Sequence, residues 1–435
     1  MTKHKKGLYT INILENKNFM LLFSGRLISQ LGDCIYGMAT AWYILSETKS
    51  ASQMALFMSF GTIVFAISSP IGGIITDRLD RKLLLCITDF IRGIMLFILS
   101  ILMYLNITSI SSLYIAAAIL SICSSVFTPA SSAILPTIVS REQLMKANSL
   151  TSMIQNFSNI FGIILGGILY SLIGIKGVFV INAISFIISG IIEIFLTTPK
   201  APHSLLASNI TYKNLTKDLY EAYIFLRGHK TILFFMLFST AFTITITPIF
   251  AIYAQYYFTK VLALGPKELS YVNASVTLGI LIGAFLLTKR SNGSFHRLIS
   301  TGIMAYALFI LGLHISILLN DKGFLTHNMT MYLFIILYGF FGILNSLINI
   351  PFSVVLQSMV PNQVLGRINA LSNTFATAAS PIGMIVGGFL ADRLQMSYIF
   401  LMLVFIMLLL ALFFNFQKDI KQLNIVELEP SNKEV

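Results

Sequence analysis

Six ionisable side chains other than cysteine and tyrosine fall inside the long apolar runs of this 435-residue chain: Arg26, Asp33, Asp89, Arg92, Glu193 and His314. A charge inside a bilayer is costly, so each is a candidate for ion, proton or substrate chemistry. Asp33 stands near the centre of the first run (19–45), with Arg26 seven residues earlier on the same helical face. Ser29, Gln30, Tyr36, Gly37 and Thr40 extend that face into one polar stripe on an apolar cylinder. Such a stripe cannot face lipid. A carboxylate in a semi-dry cavity beside a cation is suited to taking up and releasing a proton, or to pairing with a cationic substrate. Asp33 with Arg26, and Asp89 after them, are therefore the expected proton-coupling or cation-binding residues. Glu193 and Asp89 lie within about two turns of the ends of their runs, where water is expected to reach them. His314 is read as a structural histidine.

Three further runs carry uncharged polar stripes. The fourth has Ser121, Ser124, Ser125, Thr128 and Ser132; the seventh has Ser239, Thr240, Thr243, Thr247 and Gln255; the tenth has Asn345, Asn349, Ser353 and Gln357. With Trp42, Tyr43, Phe250, Tyr253 and Phe352 nearby, they are expected to line a mildly polar, aromatic cavity. Gln30, Tyr36, Thr40, Ser125, Thr128, Thr243, Thr247, Asn345 and Asn349 are its candidate substrate contacts. Each hydroxyl taken singly reads as helix-packing glue before it reads as a substrate contact; it is the recurrence across four runs that points to a cavity.

These residues need a membrane to position them. The chain is 56% hydrophobic and 11% charged, with mean hydropathy +0.84, whereas soluble domains carry about a quarter of their residues as charges. A soluble enzyme of this length is excluded. Apolar runs at 19–45, 51–75, 83–105, 112–138, 147–172 and 178–196 are followed by a polar stretch, then by runs at 231–258, 269–288, 298–319, 329–357, 369–390 and 398–416. At about 20 residues per crossing, this predicts an all-α integral membrane protein of about twelve helices in two six-helix bundles. The expected organisation is a first bundle at 1–196, a cytoplasmic linker at 197–230, a second bundle at 231–416 and a tail at 417–435. Leu215, Leu219, Tyr223 and Leu226 recur at helical spacing in the linker, as in a short interfacial amphipathic helix.

The net charge of +12 reads as orientation and not as affinity for nucleic acid. With the N-terminus inside, 21 Lys and Arg residues fall in cytoplasmic segments, six in outer loops and two within runs. Both termini are thus expected in the cytoplasm of a plasma-membrane protein. Cys34, Cys86 and Cys123 form no CxxC pair. No metal or cofactor is expected, and no Walker A, HExxH or nucleophile-and-base motif is present, so the chain is not expected to be an enzyme. The expected partners are a small amphipathic substrate, protons and the lipid bilayer, acting on a monomer.

The halves repeat each other. Residues 135–169 and 356–390 align without a gap at an offset of 221, with ten identities in 35, among them Asn148/Asn369, Gly162/Gly383, Gly166/Gly387 and Gly167/Gly388. A second echo links the Asp77-Arg78-Leu79 end of run two with Asp392-Arg393-Leu394 at the end of run eleven. Nested repeats of this kind belong to transporters that rock two halves about a central site.

The turn Gly73-Ile-Ile-Thr-Asp77-Arg78-Leu-Asp80-Arg81-Lys82 resembles the signature between helices two and three of the major facilitator superfamily, with Asp80 where many members have glycine. The segments Gly25-Arg-Leu-Ile-Ser-Gln-Leu-Gly-Asp33, Val139-x-Arg-Glu-x-Leu-x-x-Ala-Asn-Ser-Leu150 and Asn182-Ala-Ile-Ser-Phe186 resemble its macrolide-efflux-type drug:proton antiporters. The resemblance spans residues 15–415. It implies alternating access and proton-driven export of amphipathic compounds, and it gives Gly73, Asp77, Arg78 and Arg81 the role of a conformational latch. Run four lacks the arginine of many such antiporters, and run five lacks their proline, which stands instead in run eleven as Pro381. That leaves Asp33, with Asp89, to carry any coupled proton. Export of a native siderophore, peptide or lipid, or uptake of a small metabolite, remains open alongside, as does a non-transporting sensor or scaffold.

Overall fold

A computed structural model describes residues 13–140, 143–198, 229–288, 295–359 and 362–416. The amphipathic linker segment and the C-terminal tail lie outside the described residues. A 3-10 turn at Ile13–Glu15 leads into α1 (Lys17–Thr48), α2 (Ala51–Arg78), α3 (Arg81–Tyr104) and α4 (Ile110–Ile138). The long α5 (Leu144–Ile194) breaks at Gly174, whose φ of 66° divides it into two arms. α6 (Lys230–Pro248) continues through two π-helical turns, Ile249–Tyr253 and Tyr257–Val261. Then come α7 (Pro266–Thr288), α8 (Phe295–Asp321), α9 (His327–Met359), α10 (Asn362–Arg393) and α11 (Met396–Phe416). Counting the arms of α5 separately, the described residues hold twelve long helical segments. Nine described helices are long and apolar enough to cross a membrane, α5 counted once. The protein is an all-α integral membrane protein. α1 and α10 fall outside the nine, each diluted by polar and small residues.

Helix ends follow local chemistry. Asp80 caps α3, its Oδ1 accepting from the Leu83 amide at 3.0 Å, and Ser109 caps α4 by accepting from Ser112. The left-handed residues Lys49 (φ 51°) and Asn106 (φ 58°) turn the chain between helices.

The described residues cluster into two compact units: 13–40 with 61–198, and 41–60 with 229–416. In the first, glycines set the helix spacing. A Cβ on Gly166 would stand 3.0 Å from Met38 Cβ, and one on Gly162 would meet Leu31 O at 3.3 Å and Cys34, so the first arm of α5 lies directly on α1. In the second unit a Cβ on the repeat-related Gly383 would stand 2.6 Å from Ile244 O, and one on Gly387 would meet Pro248 and the Tyr253 hydroxyl, so α10 lies directly on α6. The shared glycines thus seat the fifth helix of each half on its first. Gly388 packs on Ala51, Ser52 and Ala55 of α2. Beside it, Asp392 supplies the N-terminal cap of that helix: Oδ1 accepts from the Ala51 amide at 2.8 Å, and Oδ2 from the Ser52 amide at 3.0 Å and Ser50 Oγ at 2.7 Å.

Candidate functional site

Three helical segments of the first unit meet around the buried charge. On α3, a turn apart, stand Cys86, Asp89 and Arg92; on α1 is Asp33; on the second arm of α5 are Asn182, Ser185, Ser189 and Glu193. Small residues permit the approach. A Cβ on Gly93 would meet Ala183 O at 3.1 Å, one on Gly25 would meet Ser189 Oγ at 3.2 Å, and one on Gly190 would meet Asp89 Cβ at 3.5 Å. Gly32 sits directly on Asn182 and Ser185.

Arg92 is the hub. It is 3% exposed, Nη1 is 3.8 Å from Asp33 Oδ2, and Nη2 is hydrogen-bonded to Asp89 Oδ1. Nε donates to Thr88 O at 3.4 Å. The rings of Phe127 and Phe186 stand 4.6 and 4.3 Å from its guanidinium carbon. Planar delocalised charge held between two ring faces is stabilised where an ammonium would be less well matched. Asp89 and Glu193 are both 0% exposed, whereas the Asp33 side chain is 35% exposed. The site therefore joins one accessible carboxyl to an interior that reaches no solvent.

This corrects three expectations. Arg26 does not pair with Asp33: its Nη1 donates to Ser131 Oγ at 3.4 Å, beside a small pocket shared with Phe19, Leu135 and Thr151. The cation for Asp33 comes from α3, because helix packing and not spacing along α1 decides the neighbour. Asp89 and Glu193 do not reach water, since α1, α3 and the second arm of α5 seal over them. Arg92 and Glu193 were visible only as charges within apolar runs; no spacing rule joined them to Asp33.

The other candidates separate by burial. Tyr36, Thr40 and Ser125 are buried: Tyr36 packs on Phe179 with ring centroids 5.3 Å apart, Thr40 Oγ1 donates to Tyr36 O, and Ser125 Oγ donates to Ile122 O. They sit in helix packing. Gln30, Thr243, Thr247 and Asn345 are half-buried, and Thr128 and Asn349 are exposed. Thr247 Oγ1 donates to Thr243 O at 2.7 Å, and Asn349 Nδ2 to Asn345 O at 3.1 Å. At the turn after α2, Arg81 Nη1 donates to Ala133 O at 3.1 Å, a carbonyl in the last turns of α4 where a cation complements the helix dipole. Arg78 is exposed, Asp77 and Gly73 are half-buried. His314 Nδ1 is 3.4 Å from Ser397 Oγ. Cys34, Cys86 and Cys123 are free, and the described residues hold no cluster of metal-ligating side chains.

The interior of the second unit is different. Among its described residues no Asp, Glu, Lys or Arg is buried. Its middle is aromatic: Phe250 lies 3.8 Å from Phe341 by ring centroids, Tyr306 and Phe309 pack on Phe341 at 4.9 and 5.1 Å, and Tyr338 donates to Ile249 O at 2.9 Å.

The family model described as Major Facilitator Superfamily matches residues 22–375 and 249–431. The chain belongs to the major facilitator superfamily, and so is a membrane transporter and not an enzyme. It is 24% identical over 417 residues to Macrolide efflux protein A of Streptococcus pyogenes, covering 94% of this chain and 97% of that protein. It is 23% identical over 413 residues to Multidrug efflux pump Tap of Mycolicibacterium fortuitum, covering 93% and 97%. A D-xylose-proton symporter structure superposes with a TM-score of 0.66 at 14% identity, covering 93% of this chain and 97% of that one, a likeness of fold.

Proposed function

We propose that this transporter exports amphipathic, macrolide-like drugs in exchange for protons, by alternating access across the cell membrane. The names of the efflux relatives support the substrate class and direction. The Lys and Arg bias supports cytoplasmic termini. The observation that carries proton coupling is the Asp33–Arg92–Asp89 chain, in which only Asp33 is exposed enough to exchange with solution. Ionised, Asp33 shares Arg92 with Asp89; protonated, it releases the guanidinium to Asp89 alone. The packing of α1 against α3 then differs between the two states, which gives a proton a handle on conformation. Gln30, Thr128, Thr243, Thr247, Asn345 and Asn349 are the residues proposed to meet substrate, and Gly73, Asp77, Arg78 and Arg81 the proposed latch. Arg26 acts on this reading as a support for α1 against α4, through Ser131.

The test is export of radiolabelled erythromycin from proteoliposomes under an imposed pH gradient. Asp33→Asn is expected to lower gradient-driven export by about a hundredfold, with reconstitution and thermal stability near those of the parent. Gradient-driven export that persists in that variant sinks the coupling assignment. Absence of erythromycin movement in the parent protein sinks the substrate class.

A further inference from the structure

Arg92 is already engaged by Asp33 and Asp89, yet a third carboxyl shares the interior. Glu193 is 0% exposed, and neither of its carboxyl oxygens accepts a hydrogen bond from the described residues. It follows Gly190 by one turn, and a Cβ on Gly190 would stand 3.3 Å from the Phe90 ring and 3.5 Å from Asp89 Cβ. The charged or titratable groups around it are Asp89, Arg92, Cys86 and, further out, Lys82 on α3, and Asp33 on α1. α4 carries no charged residue, and Lys176, the other charge on the second arm, stands near its opposite end beside Asn106. One guanidinium therefore faces three carboxyls. An ionised carboxylate buried without partners costs several kcal/mol. Asp89 and Arg92 balance each other, so a proton on either Asp33 or Glu193 limits the uncompensated charge to one.

A groove of about 580 Å³ is lined by Asp80, Lys82, Leu83, Cys86, Phe90 and Ile194 among others, and Glu193 itself does not line it. Ile194 follows Glu193 directly, and Cys86 and Phe90 flank Asp89 on α3. Asp80 and Lys82 stand where the groove meets the start of α3, the end that the charge bias assigns to the cytoplasm. Glu193 is thus one residue away in sequence from a groove that Asp33 does not line, and it is sealed from that groove in this conformation.

We propose that Glu193 is a second proton-carrying carboxyl of the transport cycle, exchanging its proton in a conformation that opens it to this groove and coupled by charge to Asp33 through Arg92 and Asp89. The proposal rests on the reading that Asp33 loads protons. With Asp89 ionised and Arg92 cationic, the state with Asp33 ionised and Glu193 protonated carries a net charge of −1. So does the state with Asp33 protonated and Glu193 ionised. A proton gained by Asp33 leaves the positive charge of Arg92 less compensated, and that favours loss of one from Glu193; the reverse exchange resets the pair. Charge is conserved within the interior at each half-step, which avoids stranding a second buried anion.

Two measurements on the full-length protein in lipid test this. Infrared difference spectra at neutral pH are expected to show a protonated-carboxyl band that Glu193→Gln removes and that Asp33→Asn, which fixes that position neutral, weakens. In proteoliposomes, E193Q is expected to keep erythromycin counterflow without a pH gradient and to lose gradient-driven export. Gln mimics the neutral acid in shape and charge, so the variant is expected to fold; Glu193→Asp, which keeps the acid, is expected to restore part of the driven export. A carboxyl region unchanged by E193Q, or full gradient-driven export in that variant, overturns the role of Glu193. If E193Q removes the band while D33N keeps gradient-driven export, it is the coupling role of Asp33 that fails.

Discussion

The two compact units share a repeat and differ in what they bury. In the first, Asp89, Arg92 and Glu193 are enclosed among helices, with Asp33 at the margin. In the second, the enclosed polar groups are hydroxyls and amides, and the middle is a cluster of Phe and Tyr rings. Yet Gly162 and Gly166 do for α1 what Gly383 and Gly387 do for α6. Helix spacing has been kept in both halves while the interior chemistry has gone separate ways. The difference teaches that the scaffold needs small residues at fixed places, and that charge is not part of what holds it up. A charged interior is then explained by use and not by architecture.

The sharpest way to break this contrast is Arg92→Ala. It leaves Asp89 buried without a cation and is expected to cost about 3–5 kcal/mol, read as loss of folded protein in thermal melts after detergent extraction. Combining it with Asp33→Asn and Asp89→Asn is expected to recover most of that stability and no gradient-driven export. A comparable loss from Arg92→Ala alone and from the triple variant would show that packing between Phe127 and Phe186, and not charge, is what Arg92 provides. In the second unit, Phe341→Ala removes the ring shared by Phe250, Tyr306 and Phe309 and is expected to cost roughly 3 kcal/mol, with the pH dependence of transport unchanged. A shifted pH profile in that variant would erase the division between the units. Tyr338→Phe loses one hydrogen bond to Ile249 O, an expected cost of about 1 kcal/mol, visible as a small fall in melting temperature. Ser397→Ala, which removes the long contact to His314, is expected to move neither stability nor transport measurably; a clear effect would promote His314 to the set of working residues.

Much of the architecture was legible because bilayer crossings must be long and apolar, and because repeated glycines keep their spacing. The run at 19–45 lies inside α1, and Gly174 breaks α5 between the fifth and sixth runs. The two π-helical turns after Pro248 were not legible, since a run of apolar residues looks the same in either winding. The site was half legible. Asp33 was marked by its depth, but its partner was sought along α1, where seven-residue spacing suggested Arg26. Which helix supplies the counter-charge depends on rotation of α3 about its own axis, and one helix's periodicity does not report that. The place of Glu193 near a run's end points to contact with water. Its burial is decided by neighbours on α1 and α3 that are distant in sequence. In the sequence the echo of Asp77 at Asp392 marks only a nested repeat, while the structure gives Asp392 a use of its own.

That use bears on how the chain is made. The first amides of α2 find their acceptor on a residue 340 positions later in the sequence. Synthesis runs from the N-terminus, so α2 enters the bilayer with only Ser50 Oγ, which accepts from the Gln53 amide at 3.2 Å, to cap its leading end, and its Ala51 and Ser52 amides wait for α10. The completed helix therefore records that insertion of the tenth has succeeded. A nascent chain stopped before Asp392 would keep that end of α2 open to water and to quality-control proteases, however well its first unit had packed.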